Sequence, residues 1–290
     1  MMVDSNKFMM RRMQLSEVGR WAFPWLVEMG RTAKEKKVCP IDLADYYPDT
    51  EDAVVASIAG LLIPYNKRRN DYVTEFRNLL GEHPMEAVRS RAFIHYPSMF
   101  DTPYFLKAVS IRIESVVELL DWCWKMFVSM ELPMEFVVMS EVTGKDYGPM
   151  RLAELTCMNR GFKEGMKMLL ARMTMKDGIG RGVWHSMDEE ILPLPLFPPV
   201  RNLLMKFYPL EPIDSVNVGE ITEYLGFEKP IDFLYAYWGI ERQNALDGGR
   251  TDSFIKNFRE HLKLDKMLRW CSGLPYYTSK LKKEIPNIII

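Results

Sequence analysis

The 290-residue chain has few cysteines, no excess of either charge and no long apolar run, and each shortage excludes a class of function. The four cysteines, Cys39, Cys123, Cys157 and Cys271, are far apart, with no C-x-x-C pair. Thiolate-held zinc and iron–sulfur clusters need closely spaced cysteines, so neither is expected. No secretory signal is visible: the N-terminal MMRRM is not followed by an apolar stretch, so disulfides are not expected either. Lysine and arginine number 38 against 39 aspartate and glutamate, a net charge of −1. A dedicated nucleic-acid binder carries a basic excess, so any DNA contact has to come from a local patch. No apolar run approaches the roughly 20 residues of a membrane span. The expected setting is therefore the cytoplasm, with no membrane partner. Also missing are an HExxH helix, a Walker loop, a dinucleotide fingerprint and any Ser-His-Asp arrangement. Nothing calls for a metal or a cofactor.

What remains is helical. The chain is 48% hydrophobic and 12% aromatic, with 21 methionines, which suits a large and adaptable core. No segment alternates as a strand does, so the fold class is all-α. Residues 1–40 read as a charged N-terminal extension, with helical character over 15–28 and a solvated cluster at Lys34, Lys36 and Lys37. Residues 41–290 read as the helical domain. Asp49 or Thr50 can cap a helix of small residues, and Glu51 and Asp52 suit its positive end. Pro64 and Asn66 break that helix; Lys67, Arg68 and Arg69 fall in the turn; Asn70 or Asp71 restarts a helix that Gly81 can end. The longest pattern runs over 102–130, with Val109, Ile113, Val116, Leu120, Trp124 and Phe127 at helical spacing. Trp122 and Trp124 are expected in its core. Pro133 and the stretch from Gly144 to Pro149 bracket a loop, and a short helix is expected over 151–158. Further helices are expected over 199–208, 215–225, 230–241 and 252–262. A basic tail (Lys280, Lys282, Lys283) follows.

The informative window is 157–201. Between residues 160 and 181 stand six cations, Arg160, Lys163, Lys167, Arg172, Lys176 and Arg181, against Glu164 and Asp177. A glycine–lysine turn opening a helix offers unpaired backbone N–H groups and the positive end of the helix dipole, which together suit a phosphate.

The segment NRGFKEGMKMLLARM resembles the hairpin of helix-hairpin-helix DNA glycosylase/lyases, particularly the prokaryotic 8-oxoguanine type. Gly161, Phe162, Lys163 and Glu164 match its second glycine, aromatic, lysine and glutamate, while Asn159 stands at the first glycine. The chain is also similar to an uncharacterised bacterial family related to these enzymes. That likeness runs in scattered short matches through PDTEDAVVASIAGLL, DGIGRGVW and FEKPIDFLYAYWGI. The resemblance implies two helical lobes, DNA contact through Arg160, Gly161, Lys163, Lys167 and Arg201, and damaged or abasic duplex as the partner. It implies a flipped base in a pocket for which Trp184, His185 and Phe197 are candidates. It makes Lys163 the amine that attacks the sugar. The family's second motif, Val/Leu-Asp-x-His-Val-x-Arg, aligns with residues 196–201, which puts Phe197 at the aspartate and Pro199 at the histidine. Phenylalanine cannot stabilise a sugar cation or move a proton, so standard chemistry is not expected unless Asp188, Glu189 or Glu190 substitutes. Three readings stay open: a glycosylase-type DNA protein, degenerate or active; a DNA-binding module without chemistry; and a helical scaffold for a protein or small ligand.

Overall fold

A computed structural model describes residues 24–40, 42–63, 69–96, 113–144, 151–158, 161–207 and 218–246. Every regular element among them is helical, and none is long and apolar enough to cross a membrane. The chain divides into two compact units. One is built from both ends of the chain together with Asp177–Ile179; the other holds Pro40–Lys176 and Gly180–Met187.

The unit made of both ends contains α1 (Pro24–Glu35), α8 (Pro198–Phe207), α9 (Val218–Tyr224) and α10 (Asp232–Leu246). α1 lies along α10 at close range because small residues face each other. A Cβ on Gly30 would stand 3.4 Å from the Ala236 Cβ, and one on Gly239 only 2.8 Å from the Met29 side chain. Leu26, Ala33, Phe233, Leu234, Ala236 and Trp238 on these two helices are all buried. Rings meet edge-on, Phe227 with Phe233 at 5.4 Å and Tyr235 with Trp238 at 5.3 Å. The proline-rich approach to α8 turns inward: Leu192, Leu194, Leu196 and Phe197 are all buried.

The central unit is organised around α2 (Thr50–Ala59). Asp49 caps it by accepting from the Glu51 and Asp52 amides, as its sequence suggests. Every residue from Asp52 to Ala59 is buried, so beyond Thr50 and the exposed Glu51 this helix has no solvent face. Against it lie α4 (Pro84–Arg89), α5 (Ile113–Cys123) and α7 (Phe162–Thr174), and α7 also packs along α6 (Met134–Thr143). α3 (Arg69–Leu80) ends at Gly81 in the left-handed region, φ +74°, as expected. α5 passes into a π-helical turn, Trp124–Ser129, where the Met130 amide reaches back to the Lys125 carbonyl. Trp122 is buried, and Trp124 carries the Arg91 guanidinium 4.3 Å above its ring.

The order of elements departs from the sequence reading in two places. Pro133 and Gly144 bound the helix α6 rather than a loop: Pro133 occupies the N-cap, and Gly144 ends the helix at φ +71°. Residues 151–158, expected as a helix, make only the short turn Leu152–Glu154 and a further bend. The reason is competition for their amides. Glu118 of α5 accepts from the Thr156 and Cys157 backbone N–H groups and from the Thr156 hydroxyl, while Glu141 of α6 takes the Leu152 amide. The expected helix over 252–262, the basic tail, residues 102–112 with Val109, and Lys67 and Arg68 lie outside the described residues.

Candidate functional site

The hairpin window sits at the start of α7. Gly161 occupies its N-cap, and its carbonyl accepts from the Glu164 amide. Phe162 is buried and anchors the turn, which leaves Gly161 and Lys163 exposed. The Lys163 Nζ lies 4.0 Å from where a Cβ on Gly144 would be, beside the C-terminal, negative end of α6. Its charge also acts on Glu141, whose carboxyl burial pushes above the ordinary value against the Leu152 amide and the cations Arg151 and Lys163. Arg160 lies outside the described residues.

Three of the remaining cations face inward. Lys167 is 7% exposed, and its ammonium sits 3.1 Å from both carboxylate oxygens of Glu164. Arg172 is 3% exposed, with its guanidinium 2.5 Å from Asp45 and 3.3 Å from the Pro40 carbonyl. Arg181 donates to the carbonyls of Ala44 and Tyr47, and so closes the 3-10 turn Leu43–Tyr46. Burial lowers the Arg181 pKa despite the nearby Asp45 carboxylate. Lys176 is exposed at the end of the segment. The basic window is thus largely a set of internal struts. For Arg172 and Arg181 spacing could not reveal this, because the partners Asp45, Ala44 and Tyr47 are more than a hundred residues away in sequence.

After α7 the chain doubles back. The Val183 and Trp184 amides donate to the Met173 carbonyl, which places Trp184 in the core and His185 on the surface. Phe197 and Arg201 belong to the other unit, where Phe197 is 8% exposed and Arg201 is exposed on α8. The acidic residues before α8 are local fixtures. Asp188 accepts from the Glu190 amide, and Glu189 pairs with Lys229 at 2.7 Å.

A second constellation was not legible in the sequence. In the unit made of both ends, the Lys34 ammonium lies 2.7 Å from Asp232 and 3.0 Å from Asp177. Burial works against this charge, but the hydrogen bonds that Lys34 donates to Asp232 and Asp177 outweigh it and hold the Lys34 pKa above the ordinary lysine value. The Lys34 charge stands 5.7 Å from the Tyr235 ring centre, and the Tyr235 hydroxyl accepts from the Ile179 amide. Burial raises the Tyr235 pKa. These residues come from the DGIG and FEKPIDFLYAYWGI segments, and the structure brings Asp177 and Asp232 together on Lys34 of α1. Lys34, read from the sequence as solvated, is their centre; Lys36 and Lys37 are exposed as expected. Beside it opens a cavity of about 480 Å³, within the range of small-ligand pockets. Val27, Phe227, Gly30, Gly178 and Gly226 form its apolar and small surfaces.

No three His, Cys, Asp or Glu residues among those described are grouped to hold a metal. No protein-family model, curated protein or solved structure matches the chain. The functional reading therefore rests on the site itself.

Proposed function

We propose that this protein is a non-catalytic helical scaffold that binds a small ligand, built on a fold of the two-lobed helix-hairpin-helix glycosylase type. The observation that supports it is the internal commitment of Lys167, Arg172 and Arg181. A cation already paired inside the fold releases no counterion from a DNA phosphate, so it adds nothing to the electrostatic term that dominates DNA affinity. The lyase reaction would need a carboxylate partner for the Lys163 amine, and the aligned position holds the buried Phe197. The cavity beside Lys34 gives a small molecule somewhere to bind.

A second reading is favoured by one feature: Gly161 and Lys163 are exposed at the start of a 13-residue helix. DNA contact there would be weak and confined to one or two phosphates. One experiment separates the readings. Wild type and Lys163→Ala are titrated with a fluorescent abasic-site duplex at several salt concentrations, and parallel samples are treated with borohydride. The scaffold reading predicts no trapped adduct and no binding that depends on Lys163. Salt-sensitive binding weakened by Lys163→Ala would establish the DNA reading, and a trapped adduct lost in the variant would establish a lyase.

A further inference from the structure

The cavity beside Lys34 is lined by charged groups of both signs, and most are already paired. Arg31 is held by Glu28 and Glu35 on its own helix, at 2.6 and 2.8 Å. Lys34 is held by Asp177 and Asp232. Among the described residues, two that line the cavity make no such pair: Lys37, just past the end of α1, and Glu228, in the turn before α10. They have opposite signs and are both exposed.

Lys37 has a second unusual property. α1 ends in a Schellman arrangement, with the Val38 amide on the Ala33 carbonyl at 2.8 Å and the Lys37 amide on the Lys34 carbonyl at 3.0 Å. The residue at the left-handed position of that motif is usually glycine, because a Cβ there is strained. Here it is Lys37, at φ +50°. Glycine would end the helix with less strain; lysine adds an ammonium on the cavity. Strained backbone that places a functional group at a pocket is a recurring mark of binding sites.

We propose that the cavity binds a small zwitterion, a free amino acid or dipeptide, with its carboxylate on Lys37, its ammonium on Glu228 and an apolar side chain against Val27 and Phe227. This rests on the ligand-binding reading above and adds to it the class of ligand. The already paired Lys34, Asp177 and Asp232 form a fixed polar wall beside the ligand, and Gly30, Gly178 and Gly226 leave room for it.

The test uses L-leucine and L-leucyl-L-leucine, each beside its N-acetyl and its C-terminal amide derivative. Binding to the full chain is followed by chemical-shift titration. Removing either ligand charge is expected to weaken binding by about tenfold or more, as for other charge-assisted hydrogen bonds. Lys37→Gly should bind the parent ligand and its amide alike, and Glu228→Gln should bind the parent and its N-acetyl form alike. Lys37→Gly should also melt at a higher temperature than wild type, since the strained position then holds its preferred residue. That gain shows that loss of binding is not loss of fold. If neither leucine compound binds, or all derivatives bind equally, or the variants leave the pattern unchanged, the zwitterion site is wrong. The scaffold reading would survive any of these results, because only the DNA and borohydride experiment overturns it.

Discussion

Gly180 and Gly81 show how differently two glycines can constrain one chain. A Cβ on Gly180 would lie 1.9 Å from the Met175 carbonyl oxygen, so the backbone itself would have to move. Gly180→Ala is expected to cost about 3 kcal/mol, measurable as a lower urea midpoint. At Gly81 there is open space and only a positive φ, so Gly81→Ala should cost about 1 kcal/mol in the same assay. Arg172 poses a different question, because it is buried while its partner Asp45 stays 42% exposed. Arg172→Ala removes both packing and a charge pair and should cost about 3 kcal/mol; Arg172→Met keeps the stem and should cost less. Glu118 sets an acid limit. Its own burial raises its pKa, but the Thr156 hydroxyl and amide and the Cys157 amide outweigh this and lower it below the ordinary 4.5. Because the native value is the lower one, its contribution is present above about pH 4.5 and disappears as pH falls through the native value. Glu118→Gln should make the acid limb of an unfolding curve shallower.

At the scale of the element, legibility followed the range of the forces. The Asp49 cap, the helix end at Gly81 and the helix opening at the hairpin are set by neighbours within four residues; the sequence indicates the last two and narrows the cap to Asp49 or Thr50, of which the structure uses Asp49. Asp49→Ala should destabilise the central unit by about 1 kcal/mol, seen as a lower melting temperature. Residues 151–158 depart from the helix their sequence suggests because the Leu152, Thr156 and Cys157 amides go to Glu141 and Glu118, on other helices. α6 is not legible from its flanks, because proline before it and glycine after it mark the ends of a helix as readily as the ends of a loop. The basic window shows the same limit. Its charges could be counted from the sequence, but their destinations, Asp45 and the Ala44 and Tyr47 carbonyls, exist only in the folded chain. Lys34 was hidden for the same reason, since Asp177 and Asp232 lie far along the sequence.

Across the whole molecule, alkali should be more damaging than mild acid. Burial pushes the Tyr47 hydroxyl and the Cys157 thiol each up to about 12 and raises the Tyr235 hydroxyl further, and the Lys34 ammonium is also held above its ordinary value. For each group the native pKa exceeds the unfolded one. Its stabilising contribution is therefore complete below the unfolded value and is lost as pH rises toward the native value. Unfolding free energy should accordingly begin to decline between pH 9 and 10, and denaturant titrations across that range will show whether it does. The groups belong to both units, so both should weaken. The enclosed helix α2 has one more consequence, for how such a sequence can drift. A helix with solvent on one side can exchange half its residues freely, but α2 is covered throughout from Asp52 to Ala59 by neighbours fitted to alanine, valine and serine. In a saturation library this segment should form a band of intolerance, where enlarged side chains survive only with a compensating change on a facing helix. Sequences descended from this one can rewrite the rim of the Lys34 cavity long before they can alter α2.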